Sequence, residues 1–382
     1  MIQSVELRNF KPIKHKFFPL RKLNVLLGIN GSGKSSFIQS LLAIRQSNTL
    51  YSGSLTLNGG NFGYVDIGSS KDVRYQYAGK EETIDIVLKF NDNEELNLQF
   101  DYAVEQDYLN SKSDLKNIEN IKSKEVLFSD NKFQYLNANR IPPQSSHKKS
   151  SYAVIHSRNI GNYGEYTTHY IETFYDEDIL FENLLHKKSS TNDSITGKTV
   201  NKKLLNQINL WLGEISPDIS VKTTSVSSTE VLLQYSYVQP NFGFTNPFKP
   251  ENVGFGISYA LHVVTALLSA RSGELIIIEN PESHIHPRGQ AELGKLIALT
   301  AQNDVQIIVE THSDHIINGI RVAIKETPDF RKDTILFYFE KKVTDSEQYS
   351  KITDIEIDRN GELSDYPKGL LDEWSNQLSK LI

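Results

Sequence analysis

The chain has 382 residues, 38 % of them hydrophobic and 23 % charged, with no cysteine and a formal net charge of −6. The missing cysteine excludes disulfides, Cys-ligated zinc, iron–sulfur clusters and thiol catalysis, and the acidic balance excludes polyanion binding by bulk charge, leaving nucleic acid to a local basic patch or a partner. The apolar stretch from Leu261 to Ala270 is shorter than the roughly 20 residues of a membrane span, and the N-terminus lacks the basic start and apolar run of a secretion signal, so a cytoplasmic protein with no membrane contact is expected.

Ile2, Val5, Leu7 and Phe10 alternate imperfectly, as in a half-buried strand. Leu23 to Leu27 is a short apolar run that ends in a glycine-rich turn. After Lys34 the spacing becomes helical, with Phe37, Ile38, Leu41, Leu42 and Ile44 on one face. Between Leu55 and Phe100 strand-like runs alternate with turns, which predicts an antiparallel β region. Residues 105 to 125 are polar and predict a short helix or loop. Residues 141 to 170 are rich in Ser, Tyr and Gly and are broken at Pro142-Pro143. Helices are expected within 172 to 215, interrupted by a loop near Ser189 to Gly197. A strand over 230 to 238 and a loop to Pro250 follow.

The pattern then sharpens. Ser258 to Arg271, Arg288 to Gln302 and Asp314 to Glu326 predict helices; Leu275 to Ile278, Val305 to Val309 and Ile335 to Phe339 predict strands. The alternation implies an α/β fold: a mainly parallel sheet flanked by helices, with an antiparallel β region and a helical insert. Three segments are expected: 1–105, an N-terminal lobe with the glycine loop and the antiparallel region; 106–250, an insert with a helical lobe; and 251–382, a C-terminal lobe.

Gly28-Ile-Asn-Gly-Ser-Gly-Lys-Ser35 matches G-x-x-x-x-G-K-[ST] in full, and lies between a strand and a helix. In that context Asn30, Gly31, Ser32, Gly33, Lys34, Ser35 and Ser36 are candidate nucleotide-binding residues. Backbone N–H groups would turn toward phosphates, aided by the positive end of the following helix. Lys34 would neutralise the β and γ phosphates, and the Ser35 hydroxyl would ligate Mg²⁺.

Leu275 to Ile278 is followed by Glu279-Asn-Pro-Glu282. Acids at the C-terminal end of a buried strand stand where open α/β sheets bind ligands. Glu279 is a candidate for Mg²⁺ or its waters, and Glu282 for polarising an attacking water; taken alone, both also fit helix capping or pairing with Arg288. Thr311-His312-Ser313-Asp314 follows the next strand, where the His312 imidazole is a candidate contact to a γ-phosphate or water. Consecutive His-Ser-Asp cannot converge as a hydrolytic triad, and His284, His286, His312 and His315 match a zinc site poorly. Val253-Gly-Phe-Gly256-Ile-Ser258 precedes a helix and suggests a second anion-seeking N-terminus, with Gly256 and Ser258 reading the nucleotide of another subunit. Ser258 as an ordinary cap is the alternative.

Taken in this order, these motifs resemble the SMC/RecF-like branch of ABC-type ATPases. They look closest to the ATPase part of the overcoming-lysogenisation-defect proteins and to Septu-type defence ATPases. The resemblance is carried by Val5 to Lys11, Gly28 to Ser35, Tyr135-Leu-Asn-Ala-Asn-Arg140, Gly254 to Ser258, Glu279 to Pro287, Glu310 to Asp314 and the tail from Asp358 to Asp372. It implies a P-loop NTPase head in which two copies sandwich two ATP molecules with Mg²⁺. Many relatives have Asp-Glu where this chain has Glu279-Asn280, and an amide cannot accept a proton at neutral pH. Glu282 or His312 is then expected to take the water-activating role, or turnover is slow.

About 220 residues between the two glycine motifs leave no room for a long coiled coil, and about 70 residues after His312 are too few for a nuclease domain. The expected function is an ATP-gated, slowly hydrolysing dimer that controls a separate effector or nuclease in phage defence. The alternative is a RecF-like DNA clamp using His147-Lys-Lys149, His186-Lys-Lys188 and Lys202-Lys203. A transporter subunit fits less well. All of it requires Lys34, Ser35, Glu279 and His312 to line one pocket.

Overall fold

In the computed structural model the imperfect alternation at the start of the chain becomes β1 (Ile2–Phe10), with Ile2, Val5, Leu7 and Phe10 all buried. The structure describes residues 1–60, 63–91, 94–102, 105–113, 117–193 and 197–381. In chain order β1 is followed by β2 (Ile13–Pro19), β3 (Leu23–Gly28), α1 (Lys34–Gln46), β4 (Ser54–Thr56), α2 (Ser70–Val73), β5 (Ile84–Phe90), β6 (Glu95–Phe100), β7 (Tyr108–Asn110) and α3 (Ile118–Lys124). The middle holds β8 (Phe133–Leu136), β9 (Ser146–Lys148), α4 (Thr167–Phe174), β10 (Ser190–Asp193), β11 (Gly197–Val200), α5 (Leu204–Leu212), β12 (Ile219–Ser225), β13 (Glu230–Gln239) and β14 (Gly243–Phe244). Last come α6 (Phe255–Leu268), β15 (Leu275–Glu279), α7 (Pro287–Ala301), β16 (Gln306–Glu310), α8 (Asp314–Glu326), β17 (Thr334–Val343), β18 (Gln348–Ile355) and α9 (Glu373–Leu378). Among the described residues no helix is long and apolar enough to cross a membrane.

Packing divides the chain into two units. The first comprises Met1–Ser129, Lys332–Glu356 and Leu363–Ile382; the second comprises Asp130–Arg331 and Ile357–Glu362.

In the first unit β2, β1, β5 and β6 form an antiparallel sheet. β3 runs parallel to β17, pairing Leu23 with Thr334 through Gly28 with Phe339, and β18 lies antiparallel on the far side of β17. The apolar face of α1 is buried as its spacing predicts. Phe18 joins β2 to this layer, with ring centroids 4.5 Å from Phe37 and 5.2 Å from Phe337. Such tilted and edge-on pairs add to the area they bury.

In the second unit β8, β15 and β16 are parallel neighbours. β15 and β16 are buried almost throughout, which is why they read as continuous apolar runs rather than alternation. α6, α7 and α8 belong to the same unit. Pro287 starts α7 and the His286 side chain accepts from the Arg288 N–H; Ser313 caps α8 by accepting from the N–H groups of His315 and Ile316. β9, β12, β13 and β14 form a separate antiparallel sheet. The loop expected near Ser189 to Gly197 is instead the hairpin of β10 and β11, whose residues 194–196 lie outside the described residues. α6 begins at Phe255, not Ser258, because glycine at 254 takes the cap position through its backbone alone.

α7 and α8 meet where neither has a side chain. A Cβ on Gly319 would lie 2.0 Å from the Ala291 carbonyl oxygen, and one on Gly294 would lie 2.2 Å from that of Ile316. Gly319→Ala is therefore expected to destabilise the second unit by about 1–3 kcal/mol despite its better helix propensity. A lowered denaturation midpoint at unchanged slope checks it; an unchanged midpoint would show that the helices can separate freely.

Candidate nucleotide site

The glycine loop lies in the first unit, and its shape follows from its neighbours. Gly28 ends β3 at φ 132°, and a Cβ there would meet the Phe339 carbonyl oxygen at 2.2 Å. Gly33 stands at φ 105° just before α1, where a Cβ would meet Ser350 Oγ at 2.5 Å and Pro12 Cγ at 3.0 Å. Both positions combine a backbone conformation that L side chains avoid with no room for a side chain. Ser350 Oγ donates to the Ser32 carbonyl at 2.6 Å, and the Ser350 N–H donates to the Pro12 carbonyl at 2.8 Å. Pro12 and Ser350 thus hold the loop from outside, and no sequence motif marked either.

Lys34 is 3 % exposed, and its ammonium donates to the carbonyls of Gly28 and Ile29 at 2.8 and 3.0 Å. The loop therefore closes around a fixed positive charge. The Ser32 hydroxyl is buried without a hydrogen-bond partner, a group that a phosphate oxygen would satisfy. Ser35 is exposed on the first turn of α1 and Ser36 is buried there; Asn30 and Gly31 are exposed at the loop tip. No side chain caps α1 and no acid sits in its first turn, so the positive end of the helix is left for an anion.

The acids lie in the second unit. Glu279 ends β15 in register with Glu310 of β16. Its carboxylate accepts from the Tyr135 hydroxyl at 3.0 Å and the Ala138 N–H at 3.3 Å. Burial pushes the Glu279 carboxyl above the usual carboxylate range, against the lowering effect of those two donors and Arg140. Both direct donors are neutral, so the anionic charge is oriented rather than cancelled. A buried carboxylate held by neutral donors is a group that a cation could meet.

Asn280 adopts φ 45°, a left-handed conformation that Asn tolerates better than most residues. Its N–H donates to the Glu310 carbonyl at 2.8 Å, while its side-chain oxygen is buried and unpartnered. Glu282 is fully engaged: one oxygen accepts from the Thr311 hydroxyl at 2.8 Å and the other from the His312 N–H at 2.8 Å. Glu282 therefore brings the His312 loop to the acid turn. Tyr135 and Thr311 stand inside quoted motifs but were given no role there; in the structure they hold Glu279 and Glu282.

Gly256 packs where a Cβ would lie 2.2 Å from the His284 carbonyl oxygen, so the first turn of α6 rests on the backbone after Glu282. Ser258 is 4 % exposed; its hydroxyl is turned inward beside the Tyr235 phenol without forming a well-made hydrogen bond. The solvent-facing start of α6 is Gly254-Phe255. In the basic segments Lys149, Lys187 and Lys202 pair with Glu172, Glu214 and Glu182, and Lys203 pairs with Asp178. His147 is buried, and burial lowers its pKa.

A β-strand, a glycine loop and a helix in this order form the phosphate-binding element of a P-loop NTPase fold. The chain belongs to the family described as "AAA domain, putative AbiEii toxin, Type IV TA system", whose model matches residues 23–318. Residues 331–381 match a second family, described as "Protein of unknown function (DUF3696)". No curated protein matches the chain. An SMC head solved with the C-terminal winged-helix domain of ScpA is similar over 93 % of this chain and 97 % of its own, with TM-score 0.55 and 14 % identity, a likeness of fold. The SMC head from Pyrococcus furiosus, bound to the C-terminal domain of ScpA, gives TM-score 0.47 at 12 % identity over 100 % of this chain and 99 % of its own. The SMC head domain from Thermotoga maritima gives 0.40 at 11 % identity over 93 % and 99 %.

A Glu279 that held a cation would have to be ionised, and burial raises its pKa, so activity resting on it should fail on acidification at a higher pH than an exposed glutamate would set. Tyr135→Phe removes a donor to the ionised form and should move that acidic limb further up. The pH profile of phosphate release measures both; a limb unmoved by Tyr135→Phe would separate Glu279 from the titration.

Proposed function

We propose that the chain binds ATP with Mg²⁺ at its glycine loop, hydrolyses it slowly, and closes as a dimer whose nucleotide state gates a separate effector or nuclease in phage defence. The observation that carries the nucleotide reading is the loop itself. A buried lysine is held over it, an orphaned Ser32 hydroxyl faces inward, and an uncapped helix begins behind it. Asn30 to Ser36 would hold the phosphates, with Lys34 leaving its two carbonyl partners to meet them. Mg²⁺, when bound, would offset charge on the β and γ phosphates.

In the second unit Glu279 is the proposed Mg²⁺ ligand. Since Glu282 has both oxygens engaged in placing His312, and Asn280 is an amide, we assign the contact with water or γ-phosphate to the His312 ring. Without a carboxylate base at position 280, turnover is slow. The solvent-facing start of α6, Gly254-Phe255, would meet the second copy.

Lys34→Ala is expected to weaken MgATP binding by about tenfold or more, worth about 1.4 kcal/mol per tenfold, and to bring phosphate release to background. Unchanged release in that variant would remove the site assignment. Glu282→Ala should leave MgATP affinity within about threefold while lowering turnover by about tenfold or more, since only the His312 loop loses its anchor. Equal losses in affinity and turnover would instead make Glu282 part of the binding site. Co-purification from the native host tests the effector: recovery of a stoichiometric nuclease supports it. A chain that purifies alone and retains DNA in an ATP-dependent, salt-sensitive way would favour the clamp.

A further inference from the structure

Arg140 follows β8 and is 2 % exposed, yet its nitrogens meet main-chain oxygens rather than a carboxylate. One terminal nitrogen donates to the Glu279 carbonyl at 2.8 Å and the other to the Asn280 carbonyl at 2.6 Å; a longer contact reaches the Asn137 carbonyl at 3.4 Å. The guanidinium lies 5.3 Å from the Tyr259 ring centroid, in the second turn of α6. One planar group therefore touches the end of β8, the acid turn after β15 and α6. Burial of a guanidinium is costly and pulls the Arg140 pKa down to about 10, against the raising effect of Glu282, Tyr259 and Glu279. A planar fork matches two adjacent carbonyls in a way that an ammonium cannot. The turn it grips is also the one that needs holding, because Asn280 and His284 both have positive φ, 45° and 63°.

A second set of contacts ties the same turn to α6. Gly256 packs against the His284 carbonyl, and the Phe255 and Tyr259 rings stand 5.9 and 5.1 Å from the His284 ring. Tyr259 thus faces Arg140 and His284 at once.

We propose that Arg140 is a positioning residue that fixes the left-handed turn at Asn280, and so aims Glu279 and Glu282, while keying that turn to α6 through Tyr259. The role in turnover rests on the ATPase reading above; the role in shaping the turn does not. Arg140 touches no reacting atom in this assignment. It acts through the two carbonyls and the aromatic face.

The test uses the full chain as wild type, Arg140→Ala, Arg140→Lys and Tyr259→Leu, with three readouts. Hydrogen exchange without nucleotide should show peptides over 279–286 and 308–315 of Arg140→Ala exchanging about tenfold faster or more, with 317–326 unchanged. MgATP affinity should stay within about threefold while kcat falls about tenfold or more, a split that general destabilisation does not produce. Arg140→Lys should recover part of kcat, because an ammonium keeps the charge but not the fork. Tyr259→Leu should fall between wild type and Arg140→Ala. Unchanged exchange in 279–286, or exchange raised uniformly across the second unit, would overturn the positioning role. Turnover of Arg140→Ala within about twofold of wild type would overturn its bearing on the reaction. Failure of the wild-type chain to bind MgATP would sink the ATPase reading alone, and the exchange arm would still decide what Arg140 does.

Discussion

The Glu282 carboxylate divides its two oxygens between the Thr311 hydroxyl and the His312 N–H, and the chemistry of the second unit depends on that division. β15 and β16 are parallel and in fixed register, so their C-terminal ends emerge side by side. Register alone sets where the strands stop, not how the loops beyond them turn. A charge-assisted pair of hydrogen bonds across the gap settles it. The acid turn and the imidazole loop then become one object, and a shift in one moves the other. Adding the Arg140 grip on the carbonyls of Glu279 and Asn280 leaves the turn few alternatives.

The first unit reaches preorganisation by steric means. Its loop is shaped by what presses on it: the Phe339 carbonyl at Gly28, and Ser350 with Pro12 at Gly33. The loop's inward-facing groups are fixed by the β3–β17 pairing and the aromatic layer of Phe18, Phe37 and Phe337 beneath. A cradle built this way loses little freedom on meeting a ligand, which is where binding free energy is otherwise spent.

Local signals were readable where one segment carries the whole constraint. α8 spans Asp314–Glu326 as its pattern predicts, and β15 and β16 stand out as short apolar runs bounded by polar turns. The glycine loop is legible because glycine, lysine and serine must stand at fixed spacing. Convergence from distant segments was not legible. Tyr135 on Glu279, Thr311 on Glu282 and Ser350 on Ser32 are each pairings across 29 to 318 positions. The place of Ser258 was not legible for a related reason: α6 begins three residues earlier than the spacing predicts, which sets the serine on the buried side of its first turn. At position 280 the sequence shows an amide where the resemblance leads one to expect an acid, while the backbone adds a conformational requirement that asparagine meets.

The electrostatics of the acid turn follow one logic. Two neutral dipoles, the Tyr135 hydroxyl and the Ala138 N–H, hold the Glu279 carboxylate, and the nearest guanidinium places its donors on carbonyls. Had Arg140 formed an ion pair with Glu279, the carboxylate would be neutralised in place, and a cation would have to compete with a bidentate partner. With the arginine directed at the backbone, the carboxylate is oriented but still seeks charge, as its raised pKa records. The same separation explains why the arginine must be buried: its work is geometric, so its charge contributes only at a distance. Lys149, Lys187, Lys202 and Lys203 of the second unit's basic segments pair with acids of that unit, and the chain as a whole is acidic. The negative charge that burial concentrates at this strand end is thus held by dipoles and left without an ion-pair partner of its own among the described residues.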